Sequence, residues 1–491
     1  MKKLSIRKNL VTLAVASVLG GGAMMTVSAP VRADMNVSQD NLGQVLLFPY
    51  YTVKNGYDTL FSVTNTSDKT AVIKIRWREA LNSREVRDFN VILSPYDVWT
   101  GVVTSNGDGA LIRTFDKTCT SPILPVSATN SAAREVSFTN ALFSGNFTDG
   151  ATQDISRVKE GYFEVFLMGQ SSRSTSSSDN VLEYNAKHVS GTPRDCAKVD
   201  ALFLNSLAIN GYMAAPGNFL KGHSTLINVA SGKAIDVEPT AIEGFRTGTS
   251  YVSAPGDLDP SLANGDAATT AMRFSNAAFD SALILSGSED AVSEILRATS
   301  VINEFATGTN ASTSWVMTFP TKHHYTDSYL PTTGPTFANG TPSGGFSEWF
   351  YTPVTSAVPA AVKNGMSCDN ISLNLWNREE GGVTPGGTSF SPAPTSSSVE
   401  LCYEVNVLDF NTSSVFGTGT NRLGINTTAV GTAGWAKLTF TETEATTLGG
   451  LPVIGFSATV RDGADATVNY GSSTEHSYLH VPMMDTIPLP F

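Results

Sequence analysis

The chain has 491 residues, with 32 Lys or Arg against 44 Asp or Glu, and only 15 % of it is charged, compared with roughly 25 % in an ordinary soluble protein. No segment concentrates the cations that phosphate recognition needs, which argues against nucleic acid and anionic lipid surfaces as partners. The length exceeds what one hydrophobic core usually serves and implies about two to four packed domains.

Residues 1–33 read as a secretory signal peptide. Lys2, Lys3, Arg7 and Lys8 form a basic start, Leu10 to Leu19 an apolar run, and Val31-Arg32-Ala33 a small-residue exit. No cysteine near the exit offers a lipid site, and no later apolar run is long enough to span a membrane. Removing this segment takes away five cations and no acids, so 27 cations face 44 acids, a net of −17. The expectation is an exported, acidic protein without a membrane span.

The next region, residues 34–115, predicts an immunoglobulin-like β-sandwich. In Ala71 to Arg78, the residues Ala71, Ile73, Ile75 and Trp77 share one face, with Lys74, Arg76 and Arg78 on the other, the pattern of a half-buried strand. Asp58 to Thr64 and Val86 to Leu93 flank it, and Asn65-Thr66-Ser67-Asp68 and Ser94-Pro95 supply turns. Asp34 to Leu42 could act as a donor strand or as an arm covering a sheet edge.

Residues 116–310 form a β-rich middle region, with strands at Gly161 to Met168 and Ser224 to Val229. Gly248 to Thr270, rich in Gly, Pro and Asp, reads as a long loop. One helix is predicted over Ser288 to Phe305, from Val292, Ile295, Leu296, Thr299 and Ile302 at helical spacing and acids in the first turn. Residues 311–491 are again β-rich, with strands at Trp315 to Pro320, Ile371 to Trp376, Leu401 to Phe410, Trp435 to Thr441 and Val453 to Val460 and a loop at Gly381 to Ser398. The fold expected is therefore mainly β, an N-terminal sandwich followed by further sandwich domains with one helix inserted.

Four cysteines in an exported chain favour two disulfides, and proximity pairs Cys119 with Cys196 and Cys368 with Cys402, although three connectivities are open.

Several segments resemble a family of exported Gram-negative bacterial proteins described as hypothetical or cell-surface proteins. They are Gly43 to Val53, Ser62 to Thr66, Asn82 to Val86, Leu93 to Trp99, Glu160 to Val165, Leu226 to Ala230, Trp315 to Lys322 and Asn377 to Glu380. The resemblance implies an envelope or extracellular location and carries no activity, cofactor or catalytic residue.

Motifs with possible chemistry are few. Leu330 to Gly334 spells a sortase motif without the apolar and basic tail, and reads as a turn. Two prolines before Phe491 disfavour a barrel-closing strand. His323 and His324, adjacent on a strand, would point apart, and with His476 and His480 read as surface or loop residues. Asp257, Asp259 and Asp266 are weak calcium candidates in an oxygen-rich loop, as are Asn106 to Asp108 and Asp462 to Asp465. Acid pairs such as Glu379 with Glu380, or Glu164 with Asp154, have no spacing that selects them for hydrolysis. Trp349, Phe350 and Tyr351 offer either an exposed ligand platform or a buried strand edge.

The function expected is a non-enzymatic cell-surface or envelope protein with a structural, adhesive or assembly role and no cofactor. Its partners would be other envelope proteins, or copies of itself joined by strand addition. Alternative readings are an extracellular module binding a glycan or a calcium-dependent ligand, then an extracellular hydrolase, with the periplasm as the alternative location.

Overall fold

The computed structural model describes residues 34–149, 151–172, 181–204, 207–275, 278–326, 349–350, 367–383, 399–411, 414–440, 449–463, 469–483 and 486–487. The chain is mainly β. Its N-terminal part supplies β1 (Asp34–Val37), β2 (Val45–Thr52), β3 (Asp58–Asn65), β4 (Ala71–Glu79), β5 (Glu85–Leu93), β6 (Val98–Ser105), β7 (Ala110–Thr114), β8 (Cys119–Ser121), β9 (Arg134–Ser137) and β10 (Glu160–Ser171).

Two sheets make the first sandwich. One runs β8-β5-β4-β10-β2, continues through Thr240–Glu243, β1, Thr269–Ser275 and Ala278–Ile284, and ends at Thr486–Ile487. The facing sheet runs Lys233–Val237, Leu220–Asn228, β3, β6, β7, β9. The period of two on β4 and β5 works as expected on the inner face, where Ile73, Ile75, Trp77, Phe89 and Val91 pack against Phe61, Val63 and Trp99 from the second sheet. Gly161 lets β10 pass close to β4, since a Cβ there would sit 1.9 Å from the Arg78 carbonyl oxygen.

A second sandwich follows. One sheet centres on Ser300–Ala306, Ala433–Phe440 and Asp369–Asn377, the other on Val405–Phe410, Ala311–Thr318 and Ile454–Arg461. Between the two sandwiches, Tyr50 and Tyr162 from the first sheet share a buried cluster with Val316, Val407 and Phe456. The described residues from 34 onward belong to one compact unit, and its sheets cut across the boundaries expected at 115/116 and 310/311: β10 lies between β2 and β4, and Ser300–Ala306 pairs with Ala433–Phe440. No helix among the described residues is long and apolar enough to cross a membrane.

Three expectations are corrected. The helix covers Ser288–Leu296 only. From Val301 the apolar period changes to two, Val301, Asn303 and Phe305 are buried, and Ser300–Ala306 becomes a strand between Ala433–Phe440 and Ser477–Leu479. Strand β4 is buried along its whole length, because the middle of the chain covers its second face. The N-terminal arm is neither a free donor nor an edge cover: β1 lies inside the sheet, antiparallel to Thr240–Glu243 and parallel to Thr269–Ser275, with Met35 fully buried.

Candidate functional site

A cleft opens beside β1. Parallel pairing with Thr269–Ser275 runs from Asp34 opposite Thr270 to Asn36 opposite Met272 and stops there. The chain then turns away, with the Asp40 carboxylate accepting from Ser38 Oγ (2.7 Å) and from the Leu42 amide (3.0 Å), and Asn41 in the left-handed region at φ 60°. Where the two strands separate, a cleft of about 630 Å³ opens, with Pro49, Leu296 and Val453 as apolar lining and Glu243, Glu475 and Arg273 as charged lining. That volume is typical of small-molecule sites, about 300–1,000 Å³.

Arg273 is the deepest charge in this lining, with 7 % of its surface exposed. Its Nη1 donates to the carbonyls of Glu294 (2.9 Å) and Arg297 (3.2 Å) and its Nη2 to that of Val481. Its Nε–H has no hydrogen-bond partner among the described residues. Burial pulls its pKa down, against the upward pull of Glu294. Nearby, His480 Nδ1 lies 2.7 Å from the Arg297 carbonyl, so that nitrogen carries the proton. Burial lowers the His480 pKa and holds the ring neutral. On the rim, Glu243 accepts from Asn36 Nδ2 (3.0 Å), and Glu475 is exposed and forms no salt bridge among the described residues.

The second face of β4 holds a buried ionic network. Lys74 Nζ donates to the carbonyls of Ala254 (2.9 Å), Asp257 (2.8 Å) and Asp259 (2.7 Å) and sits 3.1 Å from Asp88 Oδ2. The loop oxygens that suggested calcium therefore enclose an ammonium group. Asp257, Asp259 and Asp266 do not converge: their carboxylates bond the Ala254 amide, the Tyr251 hydroxyl and Thr247 respectively. Beside Lys74, Arg76 donates to the Pro260 and Asp257 carbonyls and its Nε lies 2.6 Å from Glu85 Oε2. A register shift beside Trp77, which faces Arg87 while Arg78 faces Glu85, brings Glu85 to the same side as Asp88. Both carboxylates line a smaller pocket of about 300 Å³ with Gly256 and Leu258. Burial pushes the Glu85 carboxyl up to about 7, with Arg76 opposing.

Further along, Arg157 bridges Glu79 and Asp149, and Glu160 receives both Lys54 and Arg422. Arg78 donates to Glu164 Oε2 at 2.8 Å, so Glu164 is a structural partner, and Asp154 caps a short turn through the Ser156 amide.

The cysteines pair as proximity suggested, Cys119 with Cys196 and Cys368 with Cys402. The aromatic platform is corrected: Trp349 and Phe350 are fully buried, with Trp349 Nε1 donating to Asp290 Oδ1 (3.1 Å) and Phe350 edge-on to Phe319, while Tyr351 lies outside the described residues. The surface reading of the histidines is corrected as well. His323 and His324 sit in a buried turn of helix, Lys322–Thr326, with ring centroids 4.1 Å apart, and His476 is buried against Trp315. Glu379 and Glu380 form an exposed turn. The sortase-like motif and Phe491 lie outside the described residues.

Sequence reasoning passed over Arg273 and the β1 turn. The only local signal was a single arginine in an otherwise apolar and small-residue strand, Thr269–Ser275. No protein-family model, curated protein or solved structure matches this chain.

Proposed function

We propose that this is an exported, non-enzymatic protein of the cell envelope or outer surface, acting in structure, adhesion or assembly. The observation that carries this reading is the way buried charges are spent on each other to brace the body. Glu160 on β10 takes Arg422, 262 residues later in the chain, at 2.8 Å, and also Lys54 and the Tyr50 hydroxyl. Charge clusters of this kind lock a scaffold into one arrangement. The two disulfides fit an oxidising compartment, and the signal-peptide pattern and the resemblance to exported surface proteins support the location. The test is protease accessibility on intact cells with fractionation: cleavage without lysis supports the outer surface, and protection until the outer membrane is opened moves the protein to the periplasm.

The cleft at β1 favours a second reading, an extracytoplasmic binding module. With Trp349 and Phe350 buried and the Asp257 loop closed on Lys74, a ligand would be taken beside Arg273. Calorimetric titration with small charged ligands tests it.

A further inference from the structure

We propose that Lys322 and Asp369 join spontaneously in an isopeptide bond, a covalent strut between the two sheets of the second sandwich, with Glu404 carrying the proton. This modification goes beyond the envelope reading and does not depend on it.

Lys322 opens the helical turn Lys322–Thr326, which follows Ala311–Thr318 in one sheet, and Asp369 is the first residue of Asp369–Asn377 in the other. Their side chains meet in the interior, with Lys322 Nζ 3.7 Å from Asp369 Oδ2 and the two side chains 0 % and 7 % exposed. The same Nζ lies 5.8 Å from the ring centre of Phe319 and 5.6 Å from that of Phe350, both fully buried. Glu404 is fully buried too, and two ties hold its segment here. Its carbonyl accepts from the Phe319 amide (2.7 Å), three residues before Lys322, and the Cys368–Cys402 disulfide joins the residue before Asp369 to the one two before Glu404.

An amine and a carboxyl group do not condense in water, because solvation holds both as ions. A buried pair lacks that solvation. Burial pulls the Lys322 ammonium pKa down, against the charges of Asp369 and Glu404, and a desolvated lysine amine is a nucleophile. Passage of one proton from the ammonium to the Asp369 carboxylate leaves a neutral amine and a carboxylic acid. The nitrogen then attacks Asp369 Cγ and a C–N bond forms. One Cγ–O bond breaks, and its hydroxyl leaves as water with a proton taken from the nitrogen through Glu404. Ammonium and carboxylate become amide and water, with nothing oxidised or reduced. Fixed positions replace concentration, since well-oriented groups reach effective molarities of about 10⁵–10⁸ M.

Lys74 beside Asp88 shows why a buried lysine and aspartate are not enough. Its three N–H groups are taken by the carbonyls of Ala254, Asp257 and Asp259, which fixes the protonated form, without a lone pair to attack. Lys322 Nζ donates to one carbonyl among the described residues, that of Ser367 (2.5 Å).

The experiment is mass spectrometry of the purified mature chain after reduction and alkylation, first intact and then as a sequenced tryptic digest that also fixes the N-terminus. The intact mass is expected to fall one water below that of the sequence, and the digest to contain a branched peptide joining Lys322 to Asp369, with trypsin cutting after Lys74 but not after Lys322. Lys322→Arg should restore the full mass. Glu404→Gln, checked for folding by its melting curve, should leave most of the chain unlinked, and complete linkage in that variant would overturn the role of Glu404. The branched peptide is read on the wild type, so the test does not require either variant to fold. Folded wild type with the full sequence mass, or a missing water that maps elsewhere or persists in Lys322→Arg, overturns the bond.

Discussion

Arg157→Met removes the cation from the most enclosed acid pair in the first sandwich. The guanidinium is 1 % exposed and both acids 0 %. Its Nε and Nη2 donate to the two oxygens of Glu79 at 2.7 and 2.9 Å, its Nη1 to Asp149 Oδ1 at 2.9 Å, and Nη2 also to Asp149 Oδ2. Without it, Glu79 keeps the amides of Leu81, Asn82 and Arg84, which shape the turn between β4 and β5, while Asp149 keeps Asn82 Nδ2, the Ala151 amide and the distant Arg84, with Nε 3.9 Å away. Breaking a buried pair by removing one partner costs about 3–5 kcal/mol. The three amides on Glu79 offset part of this, so about 3 kcal/mol is expected, a large share of a typical stability of about 5–15 kcal/mol.

Urea denaturation followed by fluorescence, with Trp77 and Trp99 reporting from the same sandwich, measures the loss. Adding Asp149→Asn should recover more than about 1 kcal/mol, because it removes the stranded charge. Burial alone would raise the Asp149 carboxyl, but Arg157, with Asn82 and Arg84, more than offsets it and holds it below its usual range. Its contribution is present above the unfolded value near 3.8 and is lost as pH falls through the lower folded value, and the Arg157 variant should show a weaker acid dependence of this kind. A loss under about 1 kcal/mol, or no recovery in the double variant, would refute the reasoning.

Other expectations follow from the same physics. Burial holds His324 and His476 down at about 3, so each contributes stability above its unfolded value of 6.5 that is lost as pH falls from there towards 3, at about 1.4 kcal/mol per pH unit. Glu85 and Glu289, pushed up to about 7 by burial, act oppositely from pH 7 to 4.5 and offset part of that loss there. Asparagine at both His324 and His476 should make stability fall less than in the wild type between pH 6.5 and 4.5, read from melting curves. Replacing Cys119 and Cys196 together by Ala frees a loop of 77 residues and should cost about 4 kcal/mol in the chain-entropy account, measured by urea unfolding against the oxidised protein. Met35→Ala should cost about 2–4 kcal/mol, because β1 is internal to its sheet, and a loss below 1 kcal/mol would show the strand to be dispensable.

Local pattern served well wherever the answer depends only on which side a residue faces. Ile73, Ile75 and Trp77 meet the core because strand alternation puts them together, and Asn65 to Asp68 turn because their side chains can bond the local backbone. The disulfide pairs were likewise favoured by short separation. The helix beginning at Ser288 was readable, but its end was not, since Val301 and Phe305 satisfy a helical stripe loosely and a strand strictly, and only pairing with Ala433–Phe440 decides between them.

What the sequence by itself determined is the alternation of faces, the turns and the acidic balance, which depend on residue identity and near neighbours alone. What only the tertiary structure decided is what covers the second face. Lys74, Arg76 and Arg78 read as solvent-facing until carbonyls some 180 residues away, at Asp257, Asp259 and Pro260, close over Lys74 and Arg76 and Glu164 pairs with Arg78. The cleft arises in the same way, from a four-residue strand separating two others remote in sequence. Charge desolvation and ion pairing depend on distances in space, so no periodicity along the chain could have announced them.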